Sequence, residues 1–559
     1  MRRLVPFRWA LLALALPLAL VGCSKEEAPA PKAADATPPA AVFKVLATSD
    51  LRDAQPLEEM VKKATGVALK FTFGGTMEST EAVLAGKTDA HAAWFANAKY
   101  LLSDPQGQGR VKLQEKIMLS PIVVGVNETA ARQLGWTDPA VAAKVTWKTV
   151  TEASRDGKLR YALSNPATSN QGFTALMAVV AAASNKAEAL SPQDVDRGAI
   201  ASFLKGYKLP GDNSTYLSEK FIEQQGNQSN QLNAFINYES WLLSLNSSGK
   251  LREKLTLVYP HEGVSTADYP LMLLNDTRRD DYQKVVAYLK GPEAQTWLAK
   301  QTLRRPINRD VATAQADLFP KGEMLVELPF SPSRELADGL IDAYLNEFRR
   351  PIASTFVLDT SGSMNGAGRR GQLIEAIHYI AGGDNSLTGR LAKLTNRERV
   401  WMLPFSGRPG EITPFEVPAG RTQAKGVQVQ QDSEAKQQVL AQVRDYASGL
   451  NMTGGTALYD TVLVALEHSL AQRKKAPQYQ YSVVAFTDGE NTEGRNLAAF
   501  KAAYAQLPED VRAIPVFMVL FGEAKESDLK DMVQTTGGRV FDARKTPLYA
   551  VFKDIRAYQ

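Results

Sequence analysis

Between residues 42 and 325 the apolar positions follow two alternating rhythms. Residues 42–47 (VFKVLA) read as a buried strand, followed by the polar turn Thr48-Ser49-Asp50. Leu57, Met60, Val61 and Ala64 then share one helical face, and Gly66 stops that helix. Residues 68–73 alternate like a strand and run into Gly74-Gly75-Thr76, where a second helix starts, carries Ser79 and ends near Gly86. Strand, turn and helix in succession predict an α/β unit. In such units helix N-termini face the strand ends, where backbone N–H groups can hold an anion.

A further stripe lies in residues 326–350. Leu336, Leu340, Ile341, Tyr344 and Phe348 keep helical spacing, which predicts an ordered connector helix over 334–348. From 351 to 559 the strand candidates are continuous apolar runs: 354–358, 400–405, 482–486, 516–521 and 539–541. Helical stretches at 372–380, 433–446 and 458–470 separate most of them. That order predicts a doubly wound, mostly parallel sheet, with ligands beyond the carboxyl ends of its strands. Asp359 and Asp488 fall at two such ends.

The N-terminus follows a different pattern. Arg2, Arg3 and Arg8 precede the apolar run WALLALALPLALV at residues 9–21. The run is short for a membrane span and contains Pro17, so it reads as the core of a signal peptide, residues 1–22. Leu20-Val21-Gly22-Cys23 matches the bacterial lipobox, which implies lipid on Cys23. Residues 23–41 are rich in Ala and Pro with no apolar period and read as a tether. The expected place is the cell envelope, on its periplasmic or extracellular face, with the choice of membrane left open.

Composition narrows the chemistry. A net charge of +5 over 559 residues, with no dense Lys/Arg run, argues against nucleic acid. The short clusters Arg349-Arg350 and Arg473-Lys474-Lys475 read as solvated surface. Cys23 is the only cysteine, and His91, His261, His378 and His468 are far apart, so a metal would need oxygen ligands. Gly86-Lys87-Thr88 mimics the end of a phosphate-binding loop, but position 81 is Glu where that motif needs Gly. No Gly-x-Ser-x-Gly or His-Glu-x-x-His motif occurs, and the expectation is a protein that is not an enzyme.

Several segments of region 42–325 carry a family likeness: Gly86 to Trp94, the run Ser120-Pro-Ile-Val-Val-Gly-Val126, the loop Ser164 to Gly172, Asn237 to Trp241, and Tyr259-Pro260. Together they resemble the type II periplasmic solute-binding proteins. That likeness implies two α/β lobes with a ligand in the cleft between them. Ser49, Thr76, Ser79, Thr168 and Ser169 are the expected ligand hydroxyls, for a small polar solute, with an anion favoured. Asp50 and Asp89 would oppose a fully ionised one. Trp94 and Tyr238 read as packing residues rather than ligand stackers.

In region 351–559, Asp359-x-Ser361-x-Ser363 places one carboxylate and two hydroxyls in a tight loop, a hard oxygen set. Thr456 opens a helix within Thr453-Gly-Gly-Thr456, and Asp488 follows a strand within Thr487-Asp488-Gly489. This set resembles the metal-ion-dependent adhesion site of von Willebrand factor A domains. The likeness implies Mg²⁺, or Mn²⁺ or Ca²⁺, held by Asp359, Ser361, Ser363, Thr456 and Asp488, and a protein partner that offers the metal a carboxylate. Two functions compete: a lipid-anchored binding protein that docks a partner through metal, and the substrate receptor of an ABC-type importer.

Overall fold

The computed structural model describes residues 42–559 except 185, 187–189, 226–231, 321–324, 329–332, 385–386, 489, 522–525 and 547. The signal peptide, the tether and Cys23 lie outside the described residues.

The first sheet grows around β1 (Phe43–Thr48), joined by α1 (Leu57–Thr65) to β2 (Leu69–Gly74) and by α2 (Thr76–Leu84) to β3 (Ala92–Trp94). β1 pairs in parallel with both neighbours. α1 stops where Gly66 takes φ 76°, a backbone state glycine reaches at little cost. β4 (Leu113–Lys116) and the later strand Pro270–Leu273 complete a five-stranded sheet.

β5 (Met118–Asn127) carries the chain into a second sheet of seven strands. There β6 (Tyr161–Ala162), β7 (Tyr207–Leu209) and β8 (Ala234–Tyr238) alternate with α3 (Asn170–Ser184) and α4 (Ser214–Gln225). α3 is apolar on nearly every side because it is buried from Asn170 to Ala181. Gly172 lets it approach the preceding loop, since a Cβ there would lie 2.0 Å from the Ser164 carbonyl oxygen.

The connector stripe forms α5 (Arg334–Ala343), capped by Ser333 Oγ, which accepts from Leu336 N at 3.1 Å. Leu336, Leu340, Ile341 and Tyr344 are buried in the same core as the first two sheets. The last turn, Tyr344–Phe348, widens to a π-helix.

The third sheet is centred on β9 (Ile352–Asp359), buried along its whole length. After α6 (Arg369–His378), β10 (Arg399–Phe405) and the edge strand β11 (Thr413–Glu416), the chain runs through α7 (Leu458–Lys475) to β12 (Gln480–Thr487), β13 (Val516–Leu520) and β14 (Val540–Asp542). The strand order is β11–β10–β9–β12–β13–β14, and only the β10–β11 pairing is antiparallel. Separate apolar clusters cover the two faces. The chain ends in α8 (Leu548–Tyr558), a helix the sequence pattern did not reveal.

One expectation is corrected. Arg349 is not a solvated surface cation: it is 6% exposed and donates through Nη2 to Thr395 Oγ1 at 2.9 Å. Its neighbour Arg350 is exposed, as a basic cluster on the surface predicts.

Asp342 on α5 gives a pH signature. Burial pushes its carboxyl up to about 6, against hydrogen bonds from Gln430 N and Asn346 Nδ2. A raised folded value favours the protonated form. Its contribution is therefore complete below the unfolded value of 3.8 and is lost as pH rises through about 6. Relative to wild type, Asp342→Asn should be near neutral at low pH and gain about 1–2 kcal/mol above the folded value, after discounting for partial exposure. Urea unfolding of both chains across that window tests this, and a difference that does not change with pH refutes it.

Candidate functional site

Two places collect the polar residues singled out in the sequence. The first is the carboxyl edge of the third sheet. β9 ends at Asp359, which is fully buried, and its side chain braces the loop that follows. Oδ1 accepts from Ser361 N at 2.9 Å, and Oδ2 accepts from Thr487 Oγ1 at 2.8 Å. The Ser361 and Ser363 hydroxyls lie 2.9 Å apart, and Ser363 Oγ donates to Asp488 Oδ1 at 2.9 Å. Asp488 follows β12, the parallel neighbour of β9, so register alone brings the two carboxylates to one edge.

The Thr456 loop is tied to the same place by the backbone. Gly362 N donates to Gly454 O at 2.9 Å, and Thr453 N donates to Thr360 O at 2.7 Å. Thr456 is 4% exposed, and its own N–H is held by Thr492 Oγ1 at 2.8 Å. All five expected residues therefore stand on loops that meet. Arg369, unnoticed in the sequence, starts α6 and donates through Nη1 to Asp488 Oδ2 at 2.8 Å. Its position six residues after Ser363 is the one signal that could have marked it.

The donor set suits a hard divalent cation. It has two carboxylates and three hydroxyls, all oxygen. Burial raises the Asp359 carboxyl above its ordinary range; hydrogen bonds from Ser361 and Thr487 oppose this, and the Asp488 charge adds to it. A divalent ion would offset both the burial and the repulsion. Among the described residues no cluster of three or more His, Cys, Asp or Glu side chains could hold a metal instead.

The second place is a cavity of about 610 Å³ between the first two sheets. Ser49, Thr76, Thr168 and Ser169 line it, as expected. Ser79 is the exception and is not among the lining residues. It sits one turn inside α2, where its Oγ would lie 2.8 Å from a Cβ on Gly74, so it packs against β2. Thr48 Oγ1 and Thr76 Oγ1 lie 2.9 Å apart and join the end of β1 to the start of α2. Across the cavity Asn170 Nδ2 donates to Tyr238 Oη at 2.9 Å, and the Ser164 and Ser169 hydroxyls are 2.9 Å apart.

Trp94 is fully buried and donates to Tyr269 O at 2.9 Å, a packing role as read from the sequence. Tyr238 is 2% exposed yet lines the cavity. Asp89 lies apart, paired with Lys44 on the surface. Asp50 does face the cavity; burial raises its carboxyl, Arg304 opposes this, and Tyr269 Oη donates to it at 2.8 Å. Sequence reasoning missed Glu78, Asp212, Glu219 and Asp554, which make the lining more acidic than a simple anion site.

Residues 43–304 match the family described as bacterial extracellular solute-binding protein, and residues 355–552 match the von Willebrand factor type A domain. The chain carries a solute-binding domain and an A domain. Its fold is thus a two-lobed binding region followed by a Rossmann-like A domain, and the solute-binding family is an extracytoplasmic one. No curated protein sequence matches the chain. Among solved structures, the sulfate-binding protein SubI from Mycobacterium tuberculosis H37Rv is similar at 16% identity and TM-score 0.37, over 50% of this chain and 91% of that one. The ferric binding protein from Campylobacter jejuni is similar at 13% identity and TM-score 0.38, over 52% and 93%. The periplasmic binding protein AfuA from Actinobacillus pleuropneumoniae, with fructose-6-phosphate bound, is similar at 13% and 0.38, over 48% and 86%. With TM-scores below 0.5, none of these informs the ligand of this chain. Among the described residues no helix is long and apolar enough to cross a membrane.

Proposed function

We propose that this chain is a lipid-anchored binding protein of the cell envelope whose A domain docks a protein partner through a divalent cation. The observation that carries the reading is the hydrogen-bonded run from the Asp359 carboxylate through the Ser361 N–H and the Ser361 and Ser363 hydroxyls to Asp488, with Thr456 on an adjoining loop. Mg²⁺ is the preferred ion, with Mn²⁺ or Ca²⁺ able to substitute. Bound there, it would supply electrophilic character toward a partner's Asp or Glu, because Mg²⁺ keeps waters that a carboxylate can displace. The protein residues hold and orient the ion. The solute-binding domain takes a small polar molecule in its cleft.

A second reading, the substrate receptor of an ABC-type importer, is favoured by the cavity itself. The two readings differ in what they require of metal. Capture of partners from membranes on the full chain should succeed in Mg²⁺ and fail in EDTA. A receptor would hold its transporter equally in both. In the same fractions, Cys23→Ser should move the chain from membrane to soluble material. If that variant stays on the membrane, the anchor is not Cys23.

A further inference from the structure

The cleft has a wall that a solute-binding domain alone cannot provide. α8, the last helix of the A domain, places Ala550, Lys553, Asp554 and Ala557 on the cavity lining. The helix is attached to both lobes. Lys553 Nζ pairs with Glu78 on α2, in the first lobe. Tyr558 Oη donates to Asp212 in the second lobe, and the Tyr558 ring meets Tyr216 edge-on at 4.6 Å. The opposite face of α8 holds it in the A domain: Val551, Phe552 and Ile555 are buried in the apolar cluster of the third sheet.

The lining is two-natured. Three helices of nine residues or more begin at the cavity: α2 at Thr76, α3 at Asn170 and α4 at Ser214. Their N-terminal N–H groups favour negative charge. The Lys553 ammonium, on a side chain only 9% exposed, adds a full positive charge beside them. Asp50, Glu219 and Asp554 offer acceptors in the same space, suited to O–H or N–H groups.

We propose that the A domain completes the solute site: α8 is its third wall and Lys553 contacts the ligand, a small molecule with one oxyanion plus hydroxyl or ammonium groups. The ligand then touches both lobes and the A domain at once. Solute binding depends on where the A domain sits, and a bound solute holds it there. This rests on the cleft being a solute site, as read above.

The test is thermal shift and calorimetry on the full chain with inorganic phosphate, glycerol phosphate and alanine as probes. Glycerol phosphate reports the hydroxyl form, alanine the ammonium form and phosphate the bare oxyanion. At least one of the first two should bind more tightly than phosphate and raise the melting temperature. Lys553→Met should weaken that probe at least about tenfold, and Lys553→Arg by less than about threefold. Glu78→Gln frees the ammonium from its partner and should tighten binding. The exposed Lys474→Met serves as a control and should change nothing.

If a probe binds wild type and Lys553→Met equally, while both melt alike without probe, the cleft is a solute site but the helix is only a cover, and this inference fails alone. Preferential binding of bare phosphate overturns the ligand class. If no probe shifts the wild-type chain at about 10 mM, the solute reading and this inference fail together. Circular dichroism of each unliganded variant separates lost contact from lost fold.

Discussion

Glu398→Ala is expected to cost about 3–5 kcal/mol of folding stability, the largest loss from a single polar truncation in this chain. Glu398 is fully buried beside β10, and its carboxylate is shared by several donors. Arg556 grips it with both terminal nitrogens, Nη2 reaching Oε2 at 2.6 Å. Thr395 donates to Oε2 from its backbone N at 2.8 Å and from its hydroxyl at 3.1 Å. Burial alone would raise this carboxyl, but the Arg556 guanidinium, its hydrogen bonds and the Arg349 charge hold it below the ordinary range. Arg349 is the counterpart: burial and the nearby Arg556 cation bring it down to about 10. Without Glu398, two buried guanidinium groups face each other with no anion between them.

Urea denaturation measures the effect. Removing both partners, as Glu398→Leu with Arg556→Leu, should cost less than the single change, because only Arg349, and no longer two guanidinium groups, is left without the carboxylate. A loss below about 1 kcal/mol for Glu398→Ala would mean that water already reaches the pair. Arg556 lies on α8, so the single variant should also loosen the wall of the solute cleft. That link makes the ion pair structural support for the cavity as well as for the sheet.

Legibility followed the physics of each element. β9, β10, β12 and β13 are parallel strands buried on both faces, and such strands read as unbroken apolar runs. The candidate metal loop was legible because Asp359, Ser361 and Ser363 fall within one short stretch that leaves the end of one such run. The edge strand β11 was not, since Thr413-Pro-Phe-Glu416 is short, half exposed and contains a proline. α8 was missed although Val551, Ile555 and Tyr558 keep helical spacing, because two kinds of burial overlap on it. One face packs on the sheet, while Lys553, Asp554 and Ala557 face another domain, so no clean polar side remains to mark it.

The cleft was half legible for the same reason. Hydroxyls at helix starts are visible locally, and Ser49, Thr76, Thr168 and Ser169 do reach the cavity. Ser79 shares the motif but points at β2, a fact of register that spacing alone does not contain. The acids Asp212 and Asp554 come from a loop and a helix hundreds of residues apart, so only the tertiary fold joins them to the site. Arg349 was misread because a dibasic pair looks solvated unless the buried Glu398 is known to lie beside it.

Asp359→Ala should abolish metal binding while leaving the A domain folded. The residue combines the two properties a central ligand needs: a negative charge, and a position fixed by bonds to both of its oxygens. Losing it removes the acceptor of the Ser361 N–H and one partner of Thr487, which costs about 1–3 kcal/mol. Against that, it removes a buried carboxyl that burial and Asp488 already disfavour in its charged form. The net loss of stability is therefore modest, well short of what Glu398→Ala produces. Metal affinity has no such compensation. The charge count of the site falls from two carboxylates to one, and for oxygen-ligand sites that count is a main determinant of affinity. Ser361→Ala removes a neutral donor and should cost clearly less. Calorimetry on the full chain distinguishes these outcomes: millimolar Mg²⁺ or Mn²⁺ should bind and stabilise wild type, bind Ser361→Ala more weakly, and leave Asp359→Ala unchanged. Arg369 refines the test, because its guanidinium occupies Asp488 Oδ2 and must share it with an incoming ion. Arg369→Gln should bind metal at least as tightly as wild type. If the loop were only a structural brace, Asp359→Ala would lose several kcal/mol, wild type would show no metal-dependent stabilisation, and Arg369→Gln would change stability alone.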